Sequence, residues 1–161
     1  LNTECSYKFT CILEDMFTDM KTYPSTMQGF YASHPELSES PTLTVQVLQA
    51  GSWPIQSTVK CKLPAEMSAI CEKFQSYYLG TNANRILHWE TNMGIADIKA
   101  TFGKGQTHEL NVSTYQMCVL MLFNTADRLC YKEIEQATKT PDQLIVVKSQ
   151  FYNLVILMFL I

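Results

Sequence analysis

The chain has 161 residues, 47% of them hydrophobic and 17% charged, the composition of a domain with a real core and not of a disordered segment. Its formal net charge of −3 provides no basic face for phosphate, which argues against nucleic-acid binding as a main role. Six cysteines, at 5, 11, 61, 71, 118 and 130, form no Cys-x-x-Cys pair, and the three histidines at 34, 88 and 108 do not complete a zinc set.

A disulfide framework is not expected in a chain with this much core, so the thiols are read as free, in a reducing compartment. The sequence opens at Leu1 with no charged n-region and apolar run, and is read as a fragment without a secretory signal. From residue 3 to 20, Phe9, Ile12, Leu13, Met16, Phe17 and Met20 recur at helical spacing, with Lys8, Glu14, Asp15 and Asp19 off the stripe. Pro24 predicts a break, and Ser25 then caps a short second helix, "TMQGFYASH". Two such helices in succession resemble the end of a helical bundle.

The stretch "HPELSESPT" is a linker without periodicity. In "LTVQVLQAGSWP", residues 43 to 54, Leu43, Val45 and Val47 fall on one face and Thr44, Gln46 and Leu48 on the other, which predicts a strand. "CKLPAEMSAICEKFQSYYLGT" is a well-marked helix: Pro64 in the first turn, Glu66 at the positive end, Gly80 as the residue past the end. Its buried stripe is Met67, Ile70, Cys71, Phe74, Tyr77 and Tyr78.

Three more strands are predicted. They are "RILHWE" at 85–90, "IADIKATF" at 95–102 and "THELNVS" at 107–113, the last two joined by a Gly-Lys-Gly-Gln hairpin loop. Ala96, Ile98, Ala100 and Phe102 share a face, and Leu110 and Val112 point inward from the next strand. Ser113 and Gln116 make a capping-box pattern before "TYQMCVLMLFN", a helix apolar nearly all round and therefore buried. A two-turn helix on Tyr131, Ile134 and Ala137 ends before Pro141, the start of a winged-helix or helix-turn-helix unit. The tail "QLIVVKSQFYNLVILMFLI" is interrupted by Lys148, Gln150 and Asn153, so no membrane span is expected there.

No catalytic constellation emerges. "GKGQ" lacks the length and the Lys-Ser/Thr ending of a phosphate loop. Cys71 and Cys118 lie on apolar stripes, where a core thiol is the simpler reading than a nucleophile, and His88 alternates with Leu87 and Trp89 as a strand surface residue. No catalytic, metal or cofactor-binding residue is assigned, no cofactor is expected, and the chain is not read as an enzyme.

The segments "TECSYKFTCILEDMFTDM", "GSWP", "LPAEMSAICEKFQSYYLGT", "TNMGIADIKATFGKGQTHELNVSTYQMCVLMLFN" and "YKEIEQAT" together resemble the cullin family, in its carboxy-terminal homology region, most closely the plant type that pairs with BTB-domain adaptors. The resemblance implies an α+β fold. Residues 1–37 would be the last helices of a four-helix bundle, 38–113 an α/β domain with an antiparallel sheet and a packed helix, and 114–142 an incomplete first winged helix. Residues 143–161 would be an apolar tail outside the family pattern.

It further implies a non-catalytic scaffold of a multi-subunit ubiquitin ligase in ubiquitin-dependent protein catabolism, located in cytoplasm and nucleus. The expected partner is a RING-box protein whose amino-terminal strand joins the cullin sheet by β-augmentation, at Leu43, Val45 and Val47, with Trp53 fixing where the chain leaves. The adaptor-binding arm and the lysine that accepts the ubiquitin-like modifier are expected to be absent, so the chain alone would not assemble a ligase. Departures include Leu48-Gln49-Ala50-Gly51 where the family has Leu-Thr-Thr-Gly, and Cys130 for the serine that caps a helix with Glu133. A second reading is a DNA-binding winged helix over 114–142, although the local charge is not basic.

Overall fold

A single helix, α1 (Tyr7–Ser33), runs straight through the position where the sequence predicts a break. The structure, a computed structural model, describes residues 6–39, 41–55, 59–102, 106–139 and 158–159. Ser6 caps α1 by accepting from the Phe9 N–H at 3.4 Å. Pro24 lies inside the helix, where it removes one backbone bond at a cost of about 3 kcal/mol. Hydroxyls crowd the backbone around it: Thr22 Oγ1 donates to the Thr18 carbonyl at 2.6 Å and Ser25 Oγ to the Thr22 carbonyl at 2.8 Å. Packing on both sides of Pro24 outweighs the local penalty, because Met27 and Phe30 are buried beyond it and Asp15 and Asp19 are bonded before it.

After α1 comes a 3-10 turn, Pro35–Leu37, inside the segment expected to be plain linker. Helix α2 (Ala65–Thr81) begins one residue after Pro64, with Glu66 in its first turn. Gly80 sits inside α2 instead of past its end. The C-terminus is closed by Asn82, whose backbone N–H and side-chain Nδ2 both donate to the Tyr78 carbonyl at 3.0 Å. A side chain does the work expected of a glycine.

Strands β1 (Ile95–Phe102) and β2 (Gln106–Ser113) pair antiparallel, in register from Ile95 opposite Ser113 to Phe102 opposite Gln106. Residues 103–105 of the predicted loop lie outside the described residues. A two-residue strand, β3 (Met158–Phe159), pairs antiparallel with β1 at Thr101 and Phe102, giving the order β2-β1-β3. The rest of the 143–161 tail lies outside the described residues. Helix α3 (Thr114–Leu122) starts directly at the end of β2, and both halves of the expected capping box form: Gln116 N–H to Ser113 Oγ at 3.4 Å and Ser113 N–H to Gln116 Oε1 at 2.8 Å. Helix α4 (Tyr131–Thr138) follows and ends at Lys139, which adopts a left-handed φ of 53°.

Two predicted strands are not strands. Residues 43–48 and 85–90 carry no ladder among the described residues, and Ile86 stands 83% exposed. Alternation sets which side chains face inward, but a ladder needs a second backbone within reach.

The chain divides into two units, Leu1–Gln56 with Glu66–Leu87, and Ser57–Ala65 with His88–Ile161. The first is centred on aromatic rings: Phe30 and Phe74 are wholly buried and meet edge-on at 5.2 Å, and Tyr77 lies 5.6 Å from Phe30. A Cβ at Gly29 would strike the Tyr77 hydroxyl, so the glycine leaves room for that phenol against α1. In the second unit the inner face of the hairpin, Ile98, Ala100, Leu110 and Val112, packs on Leu120 of α3. Val119 and Ile134 join α3 to α4, and the segment before α2 stitches the two ends together, with Tyr115 Oη donating to the Val59 carbonyl at 2.6 Å and Lys62 N–H to the Thr138 carbonyl at 2.7 Å.

Candidate functional site

Residues 15, 19, 23, 27 and 31 of α1 follow one another at a spacing of four, which on a helix makes a single inclined row. Residues 43–53 run along this row in the opposite direction. Tyr31 Oη donates to the Leu43 carbonyl at 2.7 Å and accepts from the Leu43 N–H at 2.8 Å. The Val45 N–H points at Met27 Sδ at 3.3 Å. Asp19 Oδ2 accepts from the Gln49 N–H and from Trp53 Nε1–H, each at 2.8 Å, and Asp15 Oδ2 accepts from Ser52 Oγ at 2.9 Å.

The lengths agree. Twelve residues of helix from Asp19 to Tyr31 rise about 18 Å, and six extended residues from Leu43 to Gln49 cover about 20 Å. Between Gln49 and Trp53 the chain turns at Gly51, whose φ of 90° favours glycine. Ser52 is buried at that turn, and Val45 is the most buried residue of the segment, 8% exposed.

Every backbone group bonded to α1 side chains belongs to an odd-numbered residue: 43, 45 and 49. An extended backbone sends the N–H and C=O groups of successive residues to opposite edges. Thr44 and Gln46 therefore direct theirs away, and among the described residues no hydrogen bond reaches the backbone of either. Their side chains are exposed as well, while Leu43 and Val47 are half-buried. Three of the residues picked from the sequence, Leu43, Val45 and Val47, thus lie together along α1, and the fourth, Trp53, is held by Asp19. The edge without a bond among the described residues belongs to their even-numbered neighbours.

Asp15, Asp19 and Tyr31 carry no mark of a site in the sequence, where the two aspartates count simply as residues off the apolar stripe. The row of four-residue spacing that joins them to Met27 was the available signal. Beside Val47–Gln49 opens a cavity of about 260 Å³, walled by Asp19, Thr22 and Tyr23 of α1 and by Tyr78, Asn82 and Arg85. Arg85 Nη1 donates to Tyr78 Oη at 3.2 Å on its far wall.

Neither Cys71 nor Cys118 is arranged as a nucleophile. Burial, assisted by the Glu72 carboxylate, pushes the Cys71 thiol up, the opposite of activation. Cys118 is buried beside Cys61, with 3.7 Å between the sulfur atoms, under Tyr115. His88 is exposed. Among the described residues no group of three or more Cys, His, Asp or Glu could hold a metal, and no helix is long and apolar enough to cross a membrane.

Residues 47–157 match the family described as the cullin alpha+beta domain. Over 141 residues the chain is 72% identical to Cullin-3A and likewise to Cullin-3B of Arabidopsis thaliana, covering 88% of this chain and 19% of each of those proteins. It is 48% identical over 143 residues to Cullin-3 of Dictyostelium discoideum, covering 88% of this chain and 18% of that protein. The chain thus spans about a fifth of the length of the curated relatives it matches. The α+β architecture agrees with that family: among the described residues, four α-helices with an antiparallel hairpin.

Proposed function

The chain belongs to the cullin family, and from that premise we propose that it is part of the non-catalytic scaffold of a cullin-RING ubiquitin ligase, taking a strand of the RING-box subunit along residues 43–48. The observation that carries this reading is the one-sided bonding of the segment. Its odd residues are fixed to α1 by side chains, while the N–H and C=O groups of Thr44 and Gln46 face away and make no bond among the described residues. Exposed backbone groups of this kind are what an added strand satisfies, with affinity from main-chain bonds and register from side-chain pockets.

In this reading Leu43, Val45 and Val47 hold the segment on its own helix, and Trp53 fixes its exit. Helices α3 and α4 open the first winged helix, and the protein serves ubiquitin-dependent protein catabolism in cytoplasm and nucleus. The 161 residues alone support no ubiquitin transfer.

Co-expression with a RING-box subunit, followed by sizing of the soluble fraction, tests the reading. An equimolar complex is the expected result, and a chain that elutes alone overturns it. Gln46→Pro sharpens the test. It deletes the N–H at the open edge while leaving every bond to α1 in place, and is expected to abolish the complex without unfolding the chain.

A further inference from the structure

We propose that Asp19 and Tyr31 are positioning residues that keep 43–49 ordered as a ready-made edge before any partner arrives, an inference that rests on the reading of this segment as the partner-strand site. A strand within a sheet owes its order to the ladders on its two sides. This segment has no ladder among the described residues, and side chains of α1 take that place on one side only. Tyr31 Oη engages the N–H and the C=O of Leu43 together, as a neighbouring backbone would at a hydrogen-bonded pair.

At the other end one carboxylate oxygen of Asp19 gathers two donors, Gln49 N–H and Trp53 Nε1–H, and so closes the turn around Gly51. The charge on that acceptor makes these the stronger bonds of the set. Both anchors reach the odd-numbered edge. Neither touches the backbone of Thr44 or Gln46, so neither meets the incoming strand.

Residues that act in this way have a kinetic signature. When the binding-competent form is only part of the population, apparent affinity falls by that fraction, and the loss appears in association. Removing a direct contact instead speeds dissociation. A freely moving segment would have to be ordered at the moment of binding, whereas an anchored one has already lost that freedom on folding.

The experiment uses the full chain, its Asp19→Ala and Tyr31→Phe variants, and a RING-box subunit with its amino-terminal strand intact. Association and dissociation rates are measured by biolayer interferometry, and amide hydrogen exchange is followed in the free chain. Each variant is expected to slow association about tenfold and to leave dissociation within about twofold of the parent. In the free chain, exchange at 43–49 is expected to accelerate about tenfold while that of α1 stays as it was.

Unchanged exchange at 43–49 overturns the proposal, and so does faster dissociation at an unchanged association rate. If Asp19→Ala does not fold, Tyr31→Phe decides, since it keeps the ring and removes only the hydroxyl. A parent chain that fails to bind the RING-box subunit overturns the partner-strand reading, whereas the exchange result still judges the anchoring by itself.

Discussion

The hairpin and the segment 43–49 start from the same kind of sequence and end in different states. Both alternate apolar and polar side chains, and both place the apolar set against a helix, Leu120 of α3 in one case and the Met27–Tyr31 face of α1 in the other. In the hairpin the second strand follows a few residues later, and the backbone groups pair from Ile95–Ser113 to Phe102–Gln106. For 43–49 no second strand lies so near in sequence, and a phenol, a thioether and a carboxylate take up its backbone on one side. Alternation specifies a face. The bonding along the edge is decided by what the chain brings alongside, which is why one region is finished by its own hairpin and the other, among the described residues, is bonded along one edge only.

The contrast can be broken from either side. The largest effect is expected at Phe74→Ala, which empties the wholly buried contact with Phe30 and should cost about 3–5 kcal/mol in urea unfolding. Hydrogen exchange should rise across 43–53, because α1 loses its support, and stay low in β1 and β2. Ala100→Leu is the converse. It overfills a position with no exposure, at about 1–3 kcal/mol, and should loosen the hairpin against Leu120 while the amides of Val45 and Gln49 keep their protection. If both variants loosen both regions alike, the two are one cooperative whole and the contrast is only local.

The smallest effect is one of pH. The Glu133 carboxyl lies below the ordinary carboxylate range because it accepts from the Cys130 N–H, at 2.6 Å, and from the Cys130 side chain. A depressed carboxyl stabilises the folded state above its unfolded pKa, and that contribution is lost as pH falls through the folded value. The Cys130 amide resonance should therefore shift on acidification below the ordinary carboxylate range, and Glu133→Gln should remove the dependence. An amide that titrates identically in the variant would show that the cap at α4 does not involve the carboxylate.

What could be read from sequence tracks how local its cause is. The inward positions Ile98, Ala100, Leu110 and Val112 of β1 and β2, the Ser113–Gln116 capping box and the buried run Cys118–Leu120 depend on residues within a turn or a hairpin of each other, and all appear in the structure as expected. The break at Pro24 does not appear, because the penalty is local and the compensation comes from the 43–53 segment and from α2. A glycine at 80 predicts the end of α2 there, whereas Asn82 closes the helix with its own amide. Asp19 carries the least local signal of all. Its role depends on Gln49 and Trp53, 30 and 34 residues further on, and an aspartate off an apolar stripe looks in sequence like any solvated charge.

Pro24 has one more consequence. The Asp15 and Asp19 attachments lie before it in α1, and those of Met27 and Tyr31 lie after it. The segment 43–49 thus ties together two halves of α1 across the turn where a proline leaves one carbonyl without its usual donor. Any bend at that turn is shared with the strap, because Tyr31 holds one end of it and Asp19 the other. The segment that the helix keeps in order splints the helix in return.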